Sequence, residues 1–246
     1  MRRRAPVMQV ATTLLLSLML TLPMASALTV TTTTSLNWSG YVATAPTPFT
    51  SVSATWTVPS VSSTSPPAYS SVWVGIGGYY VNSNKLIQAG TAQNVLSGGS
   101  TVYYVWYEVY PKAPVYVASV SAGDSITVDI HQESLKPSTW HIVITKDSTA
   151  TLLNKVVKVK ANFAAEATAE FVVERPLIRI GNQLTPLANF GSVTFSGCST
   201  NQGGLGSLDN AKVIMTSDGT SSGTPLATPS SLDTTNSFTV TWNAAS

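Results

Sequence analysis

Apolar and polar side chains alternate with a period of two through most of the chain, in segments rich in Val, Ile, Thr, Tyr and Trp. Such alternation marks strands with one face buried. It predicts strands over Ser51–Val58, Ser71–Ile76, Thr101–Tyr110, Ser125–His131, His141–Thr145, Glu170–Glu174, Ser192–Phe195, Ala211–Thr216 and Phe238–Trp242. Turn-forming clusters separate them, among them Pro66-Pro67, Gly77-Gly78, Gly98-Gly99, Ala122-Gly123-Asp124 and Gly203-Gly204. Helical periodicity is almost absent, and many short strands at this spacing indicate an all-β fold, an antiparallel β-sandwich. Thr29–Ser35 and Gly219–Thr235 lack a clear pattern and read as a leader and a loop.

The ends and the charges refine this picture. Residues 1–27 carry Arg2-Arg3-Arg4, an apolar run from Val10 to Leu22 and the small residues Ala25-Ser26-Ala27, the three parts of a secretory signal peptide. The run is shorter than the roughly 20 apolar residues that span a bilayer, so a secreted product free of the membrane is expected. A short Thr-rich leader over 28–36 and one domain over 37–246 would follow. Charged residues make up 10% of the chain, against roughly 25% in an ordinary soluble domain. Hydroxyls replace them: 32 Ser and 33 Thr. Without the three N-terminal arginines, ten Lys and Arg face eleven Asp and Glu, which leaves no basic stripe for nucleic acid. Cys198 is the only cysteine, so no intrachain disulfide forms, and the core alone must hold the fold.

Strand alternation also sorts the candidate chemistry by face. Trp106, Glu108 and Tyr110 share one side of their strand, and Glu170, Val172 and Glu174 share one side of theirs. A protein this poor in charge is placing carboxyls beside apolar and aromatic neighbours. Either they point to solvent from a half-buried strand, or they lie in a cleft where aromatic rings shift their pKa. Other catalytic patterns fail. Gly219-Thr220-Ser221-Ser222-Gly223 has the spacing of a nucleophile elbow, but no His follows it. His131 and His141 are the only histidines and have no metal-ligand spacing, so neither metal nor cofactor is expected. Asp-Thr-Gly and Asp-Ser-Gly are absent. Carboxyls and carboxamides remain.

Seven blocks, in order, then carry a resemblance: Asn37-Trp38-Ser39-Gly40, Val52 to Pro59, Trp73-Val74-Gly75-Ile76-Gly77-Gly78, Leu86-Ile87-Gln88-Ala89-Gly90, Trp106 to Pro111, Ala122 to Ile126, and Ala169 to Glu174. In this order they resemble the glutamic peptidases, or eqolisins. The resemblance implies a sandwich of two large antiparallel sheets of the concanavalin-A-like or jelly-roll type, with a concave face that binds polypeptide substrates. It puts the catalytic pair on Gln88 and Glu174, with Trp38, Trp73, Trp106, Glu108 and Tyr110 lining the cleft. Glu170 is the other acid of its block and receives no catalytic role. Fungal members carry acids where this chain has Gly77 and Tyr104, and they carry disulfides.

The implied reaction is hydrolysis of peptide bonds in acidic medium by a monomer. Glu174 would take a proton from water and return it to the leaving amine, while Gln88 orients the water and stabilises the oxyanion. Two other readings stay open: a carbohydrate-binding module with exposed aromatics, and a glycosidase using a carboxyl pair such as Glu108 and Glu174. Asn37-Trp38-Ser39 is also an N-glycosylation sequon.

Overall fold

A computed structural model of the chain describes residues 28–80, 85–159, 168–178 and 183–246. The expected signal peptide, 1–27, lies outside the described residues. No helix among those described is long and apolar enough to cross a membrane. The strands are β1 (Val30–Ser35), β2 (Trp38–Thr44), β3 (Ser51–Thr57), β4 (Ala68–Gly77), β5 (Leu86–Val95), β6 (Thr101–Val109), β7 (Val115–Ser119), β8 (Ser125–Glu133), β9 (Lys136–Lys146), β10 (Ala150–Lys158), β11 (Thr168–Glu174), β12 (Leu177–Ile178), β13 (Gln183–Leu184), β14 (Ser192–Thr200), β15 (Gly203–Gly204), β16 (Asp209–Thr216), β17 (Pro225–Pro229) and β18 (Phe238–Trp242).

The main sheet runs β10-β9-β8-β3-β14-β18-β17-β16-β2-β11-β4-β5-β6-β7. Every neighbour in that path is antiparallel, whereas β1 adds to β16 in parallel. The two large sheets expected from the sequence are joined through β14. Its first half, Ser192–Phe195, pairs with β18, and its second half pairs with β3 after a register shift between Ser196 and Ser199. Gly197 sits in that shift at φ 62°, a left-handed conformation that glycine adopts without a Cβ penalty. The strand thereby turns the corner from one layer to the other.

Between the layers lies one apolar core. Trp56, Ile126, Val128, Ile130, Trp140, Ile142 and Ile144 come from β3, β8 and β9; Tyr41, Val72, Val74, Ile76, Ile87, Phe171 and Val173 come from β2, β4, β5 and β11. These side chains are within 1% of fully buried, each stabilising the fold by about 1.5–3 kcal/mol. The Trp56 indole N–H donates to Thr91 Oγ at 3.0 Å, tying β3 to β5 across the core and satisfying its one polar atom.

Strands β2, β7 and β10 were not among those predicted, and three further segments differ from expectation. The Thr-rich leader contains β1, held by backbone pairing of Val30–Ser35 with Asn210–Met215 rather than by any apolar stripe. The expected loop over Gly219–Thr235 contains β17, whose Leu226 and Ala227 are buried. Strand β5 shows no alternation because all ten of its residues are buried: one face meets the core and the other meets a second cluster formed by Trp73, Leu86, Ala92, Trp106 and Val172. A strand covered on both faces loses the period-two signal.

Candidate active site

Leu86, Ala92 and Trp106 of that second cluster line a cleft of about 1260 Å³. Its geometry follows from register. Across β2, β11, β4, β5 and β6, three rows of residues two apart present their side chains on this face. The first row is Val42, Glu170, Gly75, Gln88, Glu108; the next is Gly40, Val172, Trp73, Gly90, Trp106; the third is Trp38, Glu174, Ser71, Ala92, Tyr104. Gln88 and Glu174 therefore flank the tryptophan row from opposite sides. A Cβ on Gly90 would lie 2.6 Å from Trp73 Cβ and 2.1 Å from the Val72 carbonyl oxygen, so the row accepts Trp73 only because its neighbour is glycine.

Trp73, expected to line the cleft, is fully buried and lies beneath its surface instead. Its indole N–H donates to Glu174 Oε2 at 2.9 Å, and its other end reaches Gly75, where Cζ3 would be 3.0 Å from an added Cβ. Trp38 packs edge-on against it, with ring centroids 5.0 Å apart. The second oxygen of Glu174 accepts from Asn37 Nδ2 at 3.1 Å. Asn37 in turn accepts from Ser35 Oγ at 3.3 Å, and that same Oγ accepts from the Trp38 N–H at 3.2 Å. Glu174 is thus fixed from both sides. Its carboxyl is pushed up to about 7, chiefly by burial; hydrogen bonds from Trp73 and Trp38 oppose the rise, the Glu108 charge adds to it, and the Asn37 bond opposes it.

Gln88 is buried, and its Nε2 donates to Glu108 Oε2 at 2.6 Å. Its Oε1 is buried without a hydrogen-bond partner, an acceptor left over inside the cleft. Trp106 is nearly buried, while Tyr110 stands exposed at the rim. Glu170 shares the face but is fully buried beneath the surface of the cleft. Of the residues where a family acid is absent, Gly77 ends β4 and Tyr104 lines the cleft. Among the described residues no three His, Cys, Asp or Glu side chains are grouped to hold a metal ion.

A carboxyl and a carboxamide on one face, between aromatic walls, suit hydrolysis of an acyl bond, and comparison with known proteins defines which. The model of the Peptidase A4 family matches residues 36–242. The chain belongs to this family, the eqolisins. This eqolisin is 30% identical to aspergillopepsin-2 of Aspergillus niger over 210 residues, 75% of this chain and 72% of that one. Its fold is that of scytalido-glutamic peptidase, solved with a transition state analog inhibitor: TM-score 0.66 at 22% identity, covering 84% of this chain and 98% of that one. Aspergilloglutamic peptidase from Aspergillus niger gives a TM-score of 0.52 at 27% identity, covering 72% and 99%. The chain is a glutamic-type endopeptidase.

In this eqolisin two features of the cleft were not read from the sequence as parts of the site. Asn37 was visible as a sequon, yet its amide nitrogen donates to Glu174 and it lines the cleft. Tyr116, from β7, packs tilted against Tyr104, with ring centroids 5.6 Å apart, and lines the cleft. No local motif marks it: among the described residues β7 joins the sheet only through pairing with β6.

Proposed function

We propose that this eqolisin is a secreted, monomeric endopeptidase whose catalytic pair is Glu174 and Gln88. The observation that carries this reading is the unpartnered Gln88 Oε1 inside the cleft that Glu174 lines. A water accepted there donates one hydrogen to Oε1 and the other to the Glu174 carboxylate. Glu174 removes the second proton as the water oxygen attacks the carbonyl carbon. One N–H of Gln88 is committed to Glu108, and the other is free to donate to the oxyanion. The C–N bond then breaks as Glu174 returns its proton to the amine nitrogen, leaving a carboxylic acid and an amine. Trp38, Trp106 and Tyr110 wall the extended peptide, while Trp73 acts through Glu174 from below.

The low charge of the chain suits acidic medium, where self-repulsion stays modest. Within that medium the first step needs the ionised carboxyl, and burial moves ionisation up to about 7; the rate therefore climbs with pH on the acid side. Secretion is supported by the make-up of residues 1–27 and is checked by N-terminal mass of the exported product. Glu174→Gln and Gln88→Ala should each abolish cleavage of denatured protein while leaving the fold intact. Full activity in either variant sinks the assignment. In the glycosidase reading Glu108 would face Glu174, but Glu108 is bonded to Gln88, whose strand lies between them.

A further inference from the structure

Strand β1 ends beside the carboxyl that the cleft encloses. Val30 is its only apolar side chain and is exposed, so hydrophobic burial does not hold the strand. Parallel backbone pairing with β16 does, along its whole length. At its entry the Thr29 N–H donates to Asp209 Oδ1 at 2.7 Å, and the Thr29 carbonyl accepts from the Asn210 N–H at 3.0 Å. At its exit Thr34 Oγ donates to the Gly219 carbonyl at 2.7 Å, and Gly219, at φ 77°, lies so close to the β1–β2 turn that an added Cβ would stand 2.9 Å from Leu36 Cγ. Ser35 is thereby fixed two residues before Asn37. Its Oγ accepts from the Asn37 and Trp38 N–H groups, at 3.3 and 3.2 Å, and donates to Asn37 Oδ1 at 3.3 Å, while Asn37 Nδ2 donates to Glu174 Oε1 at 3.1 Å. The Asn37 backbone is tied to β11 as well, its carbonyl accepting from the Arg175 N–H at 2.8 Å.

We propose that β1 is a working part of the mature enzyme, and that Ser35 at its end is a positioning residue that acts through Asn37 on Glu174. A carboxamide keeps nearly the same shape when its oxygen and nitrogen change places. With the Asn37 backbone fixed, what is left to decide is which end of the amide faces Glu174. The Ser35 hydroxyl decides it: by donating to Oδ1 it draws the oxygen to its own side and turns the NH₂ toward the carboxylate. Without that donor the amide is free to turn its carbonyl to Glu174, oxygen against oxygen. Strand β1 carries no ionisable side chain, so it supplies orientation and not charge. Besides tyrosines, the ionisable side chains on the same side of the sheet as Glu174, on β2, β4, β5, β6 and β11, are Glu108 and Glu170, and a change at Ser35 leaves both in place. Residues 28–35 therefore remain in the active protein, and maturation ends with a cut ahead of β1. Only the kinetic consequence rests on the reading of Glu174 as the group that activates water; the effect on its titration does not.

The test labels the glutamates with carbon-13 and follows the Glu174 carboxyl by NMR across the acid and neutral range, its resonance identified by its absence from Glu174→Gln. Ser35→Ala should raise the titration midpoint by about 0.5–1 pH unit, part of what a lost bond to a charged group gives, and move the acid limb of kcat/KM equally far. Ser35→Cys, nearly the same size with only a weak donor, should shift it the same way. Ser35→Thr, which keeps the hydroxyl, should shift it less than half as far. Asn37→Ala should raise the midpoint at least as much as Ser35→Ala, and the double variant no further than Asn37→Ala alone, because residues acting in series do not add. The intact mass of the active secreted product should place its N-terminus no later than Thr29. An unmoved midpoint in both Ser35→Ala and Ser35→Cys, shifts that add in the double variant, or an active product that begins after Ser35 overturns the proposal. A midpoint that moves while the acid limb stays refutes the catalytic reading of Glu174 alone and leaves the role of Ser35 standing.

Discussion

Replacing the proposed catalytic acid should make the protein more stable, and only in alkaline solution. The folded chain holds the Glu174 carboxyl at about 7 against 4.5 for an ordinary glutamate. It therefore binds this proton more tightly than the unfolded chain does. Stability from the group is complete below about 4.5 and is lost as pH rises through about 7. At 1.36 kcal/mol per pKa unit the loss is at most about 3 kcal/mol, a ceiling because the carboxyl borders cleft water. Glu174→Gln removes the titration while keeping an acceptor for Trp73 or Asn37. Urea unfolding of both proteins at pH 4 and pH 8, followed by Trp fluorescence, isolates the effect, because all other titrating groups are common to the two. The variant should gain roughly 2–3 kcal/mol over wild type between pH 4 and pH 8, which for a domain of this size raises Tm by about 5–10 °C at pH 8. A stability difference that is the same at both pH values refutes the argument that burial holds this carboxyl protonated.

Other outcomes follow from the same contacts. Trp73→Phe deletes the N–H donor on Glu174; a hydrogen bond to a charged group is worth about 1.5–3 kcal/mol, so the acid limb of kcat/KM should move up by roughly 1–2 pH units, and an unmoved limb refutes the link. Asn37→Ala should shift it in the same direction. A profile that falls through the region near 7, instead of rising, would mean that Glu174 enters the reaction protonated. Gln88→Ala should cost about 10²–10³ in kcat, measured under saturating substrate. Gly90→Ala drives a methyl into Val72 and Trp73 and should destabilise by about 1–3 kcal/mol in the same urea assay. The Cys198 thiol, buried and thereby pushed up to about 12, should resist iodoacetamide in the native protein at pH 8 and react fully in denaturant.

Much of this architecture was legible along the chain wherever a strand has one wet face. Ser125–His131 alternates cleanly because one side is buried and the other is not, and the pattern located this part of β8. The same logic put Trp106 and Glu108 on one face and Glu170 and Glu174 on another, as the register shows. It failed at β5, the strand that carries Gln88, because burial on both faces erases alternation. It failed also at β1 and β17, whose places are set by backbone pairing with β16 and leave little trace in side-chain polarity. Gln88 was reachable only by resemblance to a family.

By itself, then, the sequence determined an all-β chain with few charges, one cysteine, and carboxyls set among aromatic residues, since those are properties of composition and of local period. Which carboxyl is enclosed was decided by tertiary structure. Glu170 and Glu174 are four residues apart on the same face, yet register buries one beneath the cleft and brings Trp73 and Asn37 to the other. The same register set Ser71 and Ala92 side by side between Glu174 and Tyr104. Pairing partners such as Val30 and Asn210 lie 180 residues apart in the chain, and no local pattern encodes a distance of that kind.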